Sequence, residues 1–318
     1  HQVGERAFFG LDWQRQFSPR HQLKVSAYGQ YTNEANNLDL CFRDPLTGAQ
    51  GPGGGLFFSQ ELRDLYLANN SDIGQTLAAA GADPGIQNRY ATLQASGAQA
   101  FCGRAWLDTQ ETRYDLEIQD TLSLTDSLRL LSGMNYRYDR ADSQTYFNGS
   151  IDDQTWRLFG QLEWRADEHW ILQGGAMFED SRLSGSSLTP RVAVNYLITP
   201  RHGLRAVYSE AVRSPDMFEN NVNWSYTVKN LTPNAFGLQN GEYFVKTRGP
   251  GDLEQERMRS RELGYNGYFS DIDLSLDVKL FYDEITGMIS EPLRNNQYIA
   301  SNANKARFSG SPSAPRCR

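Results

Sequence analysis

The stretch Leu274-Ser-Leu-Asp-Val-Lys-Leu-Phe-Tyr282 decides the fold. Leu274, Leu276, Val278, Leu280 and Tyr282 point one way, and Ser275, Asp277, Lys279 and Phe281 the other. Strand side chains switch face at every residue, so this period of two builds a wall with one apolar and one polar surface. The alternation recurs along the chain. Leu128, Leu130, Met134, Tyr136 and Tyr138 alternate with Arg129, Asn135, Arg137 and Asp139, while Tyr114, Leu116 and Ile118 alternate with Arg113, Asp115, Glu117 and Gln119. Trp156, Leu158, Leu162 and Trp164 oppose Arg157, Gln161, Glu163 and Arg165, and Leu23, Val25, Ala27 and Tyr31 oppose Lys24, Ser26 and Gln30. Further strands are predicted at 7–17, 170–180, 191–197, 204–211 and 260–269. A soluble antiparallel sandwich also alternates, but its strands average about five or six residues. These approach the roughly nine to eleven that a membrane-crossing strand needs. The fold class is therefore all-β, an antiparallel transmembrane β-barrel with about ten strands present.

Composition supports this and excludes a helical membrane protein. The 318 residues include 28 glycines and 12% aromatics, mean hydropathy is -0.60, and no run is apolar enough for a spanning helix. A closed sheet is the other arrangement that satisfies every backbone group in lipid. Trp13, Phe17, Trp164, Trp170, Tyr196 and Phe269 lie beside short turns, and Tyr31, Tyr138 and Phe178 lie towards long loops, as expected of rings at headgroup level. A net charge of -7 gives no reason to expect nucleic acid as a partner.

The connections set the orientation. Ser18-Pro-Arg-His21, Thr125-Asp-Ser127, Ala166-Asp-Glu-His169, Thr199-Pro-Arg-His-Gly203 and Ser270-Asp-Ile-Asp273 are tight turns. Between them come longer connections near 38–111, 144–154, 183–188, 212–258 and 284–305. Outer-membrane barrels put short turns in the periplasm and long loops outside, so function is sought in the long loops and the lumen.

Cys41 and Cys102 stand at the neck of the largest excursion, 38–111, and either form a disulfide suited to an oxidising compartment or remain two thiols. The disulfide is the expectation. Inside this loop, 60–69 after Ser59 and 86–96 after Asp83-Pro84 read as helices, making a partly helical cap. Gly51-Pro-Gly-Gly-Gly55 reads as a turn, since no phosphate-cradle Lys-Ser or Lys-Thr follows it. Residues 1–310 are expected to form the partial barrel, and 311–318, with the sequence Ser311-Pro-Ser-Ala-Pro-Arg-Cys-Arg318, to lie outside it without making a strand. The abrupt start and the atypical tail predict an internal piece of a larger protein.

Pro190-Arg-Val-Ala-Val-Asn-Tyr196, Leu204-Arg-Ala-Val-Tyr-Ser209 and Ala211-Val-Arg-Ser-Pro-Asp-Met-Phe-Glu219 occur in order. With Leu253-Glu-Gln-Glu256, Ser260-Arg-Glu-Leu-Gly-Tyr265 and Asp277-Val-Lys-Leu-Phe-Tyr-Asp-Glu-Ile285, they resemble the barrel of a TonB-dependent outer-membrane receptor. The resemblance is specific over 189–290 and rests on pattern alone before that. It implies a bacterial outer-membrane barrel of about twenty-two strands, plugged by a globular domain that this chain does not resemble. It also implies energised uptake of a scarce nutrient, with the TonB-ExbB-ExbD complex as partner through that plug and outer-membrane lipid around the wall. The lumen charges Arg113, Glu117, Arg129, Arg137, Asp139, Arg157, Glu163, Arg205, Asp277 and Lys279 are then expected to pair with each other, the plug and water.

An enzyme is not expected. The histidines are His1 at the chain start and His21, His169 and His202 in short turns, so no outward triad assembles. No cofactor or metal site is read from the chain, and haem is disfavoured because no visible long loop offers an imidazole. The segment 218–248 carries Phe218, Trp224, Tyr226, Phe236, Tyr243 and Phe244 with Lys229, Lys246 and Arg248. Rings and cations suit a flat anionic iron chelate, although rings also pack loops. These residues, except Phe236, are the candidate ligand-binding set, with the acidic large loop as a gate. A ferric siderophore is the leading ligand. Cobalamin, haem or another metal chelate, and a passive porin, stand as alternatives.

Overall fold

The computed structural model describes residues 2–43, 60–69, 73–81, 84, 100–232, 239–289, 300–311 and 313–317. Eight strands follow one another as an antiparallel meander: β1 (Gln2–Ser18), β2 (His21–Arg43), β3 (Ala100–Ser123), β4 (Leu128–Ser143), β5 (Gly149–Arg165), β6 (Trp170–Ser181), β7 (Gly185–Thr199) and β8 (His202–Arg213). The meander continues through β11 (Glu256–Phe269), β12 (Leu274–Met288) and β13 (Asn304–Gly310). Between β8 and β11 lies a hairpin, β9 (Asn223–Thr232) and β10 (Gly241–Arg248). Short helices α1 (Gln60–Ala68), α2 (Ile73–Ala80), α3 (Gln144–Phe147) and α4 (Met217–Asn221) sit in the long connections.

All ten sequence-predicted strands are present and run longer than their alternating cores. Helix α1 matches the expected 60–69, whereas the expected helix at 86–96 and the glycine run at 51–55 lie outside the described residues. Composition argued against a strand in 311–318, and the structure corrects this: β14 (Ser313–Cys317) pairs antiparallel with Leu274–Val278 of β12. Strand β13 covers only the upper part of β12, from Phe281 to Met288. The lower half presents free backbone groups that any extended segment satisfies, and an edge position tolerates Pro315.

The register places the two faces as the alternation requires. Leu116 of β3 stands beside Tyr136 of β4, Leu158 of β5 beside Phe178 of β6, and Leu263 of β11 beside Leu280 of β12. All of these outward side chains except the partly covered Tyr136 are exposed, which suits hydrocarbon. The inward face carries ion pairs: Arg137 donates to Asp115 at 3.0 Å, Arg157 to Glu179 at 2.6 Å, Arg113 pairs with Asp139, and Glu262 joins Arg205 and Lys279. At the short end, Asp167 accepts from the backbone N–H groups of His169 and Trp170 at 2.7 and 2.8 Å, closing its turn without a partner strand.

A barrel wall has little interior of its own. Most of the buried apolar side chains, including Ala105, Val222, Val228, Leu231, Tyr243 and Val245, belong to the mass above the long ends of the strands. There β2 and β3 rise as a hairpin up to the Arg43–Ala100 pair, and Cys41 faces Cys102 across it in a disulfide.

Two outcomes test this arrangement. Val278→Arg in the complete receptor, beside Tyr265 halfway along the crossing, should cost about 2–4 kcal/mol of folding stability in lipid vesicles, because it puts a charge near the bilayer midplane. Asn266→Arg, facing the lumen beside Asp277, should cost far less; equal losses would reverse the assignment of faces. Replacing Cys41 and Cys102 with serine removes a link spanning a sequence separation of 61, worth up to about 4 kcal/mol in the chain-entropy model. Amide exchange should then quicken in the upper β2–β3 hairpin and stay unchanged in the wall.

Candidate ligand vestibule at the outer mouth

Strand β4 accompanies β3 no higher than Gln110. Above that point the freed side of β3 is taken by β9: Cys102, Arg104, Ala105 and Trp106 pair with Thr232, Lys229, Val228 and Thr227. Strands β4 to β7 separate β3 from β8 in the sheet, so the segment leaving β8 crosses the mouth to reach its partner. It forms a strap over the lumen.

Both ends of the strap are fastened. Arg213, the last residue of β8, donates to Glu219 at 3.0 and 3.1 Å and to Glu256 at 2.8 and 3.0 Å. The carboxylates of Asp216 and Glu219 each accept from the other's backbone N–H, a capping box that starts α4. On the return limb, Gly249 N–H donates to the Val222 carbonyl at 2.7 Å and Gly251 N–H to the Asn220 carbonyl at 2.8 Å. Leu253 N–H donates to the Asn220 side chain at 2.9 Å. A Cβ on Gly249 would lie 2.3 Å from the Asn220 carbonyl oxygen, so this approach requires glycine. The stretch Ala211 to Glu219, which carries the family resemblance, is thus the fastening of the strap.

Opposite it, the Asp108 carboxylate accepts from the backbone N–H groups of Gln144 and Thr145, both at 3.1 Å, and from the Thr145 hydroxyl at 2.8 Å. That anchors α3 and presents Tyr146 to the strap, 5.7 Å from the Phe218 ring and 5.3 Å from the Trp224 ring. Trp224 in turn lies 5.7 Å from Tyr226.

The structure brings part of the expected ligand set together. Phe218, Trp224 and Tyr226 form one ring cluster with Tyr146. Burial, with a smaller contribution from the neighbouring Tyr146, pushes the Tyr226 phenol up to about 12. Burial also pushes Tyr243 up. Neither is a phenolate at neutral pH, so both act there as neutral rings. Phe244 faces the Arg63 guanidinium at 5.4 Å, and Arg63, fully buried, donates to Asn223 at 2.6 Å. Arg248 meets Asp64 at 2.6 Å. These contacts dock α1 of the large loop onto the hairpin. Lys229 is exposed beside β3, Lys246 lies within β10, and Phe236 falls outside the described residues.

Beneath the strap is a cavity of about 650 Å³. Arg113, Arg137 and Arg157 of the wall line it, with Tyr146, Met217 and Phe218 above. The three arginines were visible in the sequence as inward residues, but only the crossing of the strap sets Phe218 over them. Tyr146 lies in a four-residue helix and carried no signal of its own.

The family described as TonB dependent receptor-like, beta-barrel matches residues 1–311. The chain belongs to the TonB-dependent receptor β-barrel family. Members are outer-membrane transporters, not enzymes. The fold is similar to that of the siderophore receptor PirA from Pseudomonas aeruginosa, at TM-score 0.56 and 13% identity, covering 98% of this chain and 53% of that one. It is also similar to the ferric enterobactin receptor PfeA from Pseudomonas aeruginosa, solved in complex with enterobactin. That likeness has TM-score 0.52 and 12% identity, covering 98% of this chain and 49% of that one. The copper transporter OprC gives TM-score 0.58 at 14% identity, covering 99% and 44%. In sequence, 114 residues are 27% identical to the vitamin B12 transporter BtuB of Vibrio cholerae, covering 36% of this chain and 14% of that protein. The chain spans about half the length of the solved receptors it matches.

Arg213→Ala in the complete receptor should loosen the strap by about 1–2 kcal/mol, less than for a buried clamp because the guanidinium is half exposed. Amide exchange across 214–222 should rise while exchange in β5 and β6 stays the same. Unchanged protection of the strap would show that the clamp is not what holds it.

Proposed function

We propose that this barrel belongs to a receptor for energised uptake of a ferric siderophore. Its vestibule is the cavity under the strap, and the TonB-ExbB-ExbD complex acts on the plug of the complete protein. The observation that carries this reading is the placing of lumen arginines against the rings of Tyr146 and Phe218. Guanidinium groups attract an anionic chelate, and aromatic faces stack on its flat arms. Arg113, Arg137 and Arg157 already hold carboxylates, so an incoming anion exchanges partners and does not meet bare charge. Trp224 and Tyr226 back the contact rings, and exposed Lys229 stands on the outer hairpin where an anion arrives. Tyr243, Phe244 and Arg248 belong to the same loop, and their contribution is to hold it in place; Lys246 lies in that loop within β10. The family and the likeness in fold to siderophore receptors support this reading.

A second reading, uptake of cobalamin, is favoured by the local sequence likeness to vitamin B12 transporters. Cobalamin carries far less negative charge to engage the arginines, so competition by cyanocobalamin separates the two ligands.

Replacing Tyr146 and Phe218 together with alanine in the complete receptor should weaken binding of its ferric chelate by about 1–3 kcal/mol, the sum of two stacking contacts. The amount of folded barrel at the cell surface should not change. Equal affinity in the double variant, or displacement of the chelate by cyanocobalamin, would remove the siderophore reading of this cavity.

A further inference from the structure

Outward-facing charges at the top of the wall differ in sign between two sectors. Near β4 to β6, Arg140 meets Asp142 at 2.8 Å and Arg182 meets Asp152 at 2.6 Å, and Asp180 beside Trp156 adds a further anion. Across β8, β11, β12 and β13 the outward set is Arg257, Arg259, Arg261, Lys305 and Arg307 against Glu210 and Glu284. The register fixes their side of the sheet: Arg259 lies between Glu210 and Glu284, and Arg261 between Tyr208 and Tyr282. Both share the face of Leu263, which lies next to Leu280.

Glu210 is shared by Arg257 and Arg259, and Glu284 accepts from Arg307 at 3.0 Å. Among the described residues Arg261 has no carboxylate partner. It is exposed, with its guanidinium 5.8 Å from the Tyr282 ring centre. Directly below, Leu263 and Leu280 are 61% and 53% exposed. Counting up from Phe269 beside the short turn, a crossing of about nine to eleven residues reaches the outer boundary at Arg261 and Arg259. Guanidinium groups there face the headgroup layer, where lumen water and lumen carboxylates do not reach them.

We propose that this face is a binding site for an amphiphile of the outer leaflet that carries more than one phosphate. The acyl chains lie along Leu263 and Leu280, and the phosphates lie against Arg261, Arg259 and Arg307. Alternate residues of a strand stand about 7 Å apart, so the arginine column spans more than a single phosphate fills. Guanidinium forks match phosphate oxygens in pairs. The proposal rests on the outer-membrane placement of the family.

Native mass spectrometry of the complete receptor, titrated in detergent with diphosphoryl lipid A, monophosphoryl lipid A and phosphatidylglycerol, tests it. Diphosphoryl lipid A should be retained most strongly. Arg259→Ala with Arg261→Ala should lower its occupancy roughly tenfold, while Arg140→Ala leaves it unchanged. Folding of each variant is checked by the heat-dependent gel mobility of the barrel. Equal retention by a folded double variant, or equal retention of phosphatidylglycerol, would overturn the site. Membrane fractionation of the wild-type receptor reads the outer-membrane placement separately, so failure of that placement is distinguishable from failure of the site.

Discussion

Hydrocarbon offers a backbone amide nothing to bond with, so every N–H and C=O that crosses the membrane must find its partner in a neighbouring strand. The rest of this structure follows from that demand. Strands must be long, adjacent ones must be antiparallel, and their side chains must divide strictly between lipid and lumen. Leu263 beside Leu280 on one face and Glu262 beside Lys279 on the other are the two results of one constraint. It reaches even the segment at 313–317, which has a poor composition for a strand and pairs with the uncovered half of β12.

Above the membrane the constraint weakens, and the chain builds a folded cap in its place. The β2–β3 hairpin rises beyond its neighbours and serves as the mast, stapled by Cys41–Cys102 and offering a free edge on β3. The strap from β8 uses that edge through β9, and α1 of the large loop docks on the hairpin through Arg63 and the Asp64–Arg248 pair. Two loops that are far apart in sequence therefore form one body. The vestibule is the space this body leaves above Arg113, Arg137 and Arg157, so its shape depends on the Arg213 fastening at one end and the β3 ladder at the other.

The rings in 218–248 could be read as ligand contacts or as packing, and the structure uses several of them for packing. Tyr243 is buried within the hairpin and Phe244 covers Arg63, whereas Phe218 lines the cavity. The alternation Trp224, Tyr226, Val228 against Ser225, Thr227, Lys229 is a strand signal inside a long connection. It is weak because a ten-residue hairpin arm outside the membrane has no lipid face to make one side strictly apolar. The Tyr146 contribution has no sequence signature, since Asp108, 37 residues before Thr145, holds its helix in place.

Sequence alone determined the wall: period-two alternation, tight turns alternating with long connections and ring positions are local properties, each imposed by solvent on one side of a strand or by turn geometry. Tertiary structure decided everything that depends on which distant segments meet. The return of β9 to β3, the placing of Phe218 over three wall arginines, the sharing of Arg213 between Glu219 and Glu256, and the unbalanced arginine column beside Glu210 all arise between strands or loops remote in the chain. Residue order carries a face and a period, but the meeting of two edges depends on where neighbouring strands stop, as β4 stops short of the upper part of β3 that β9 then joins.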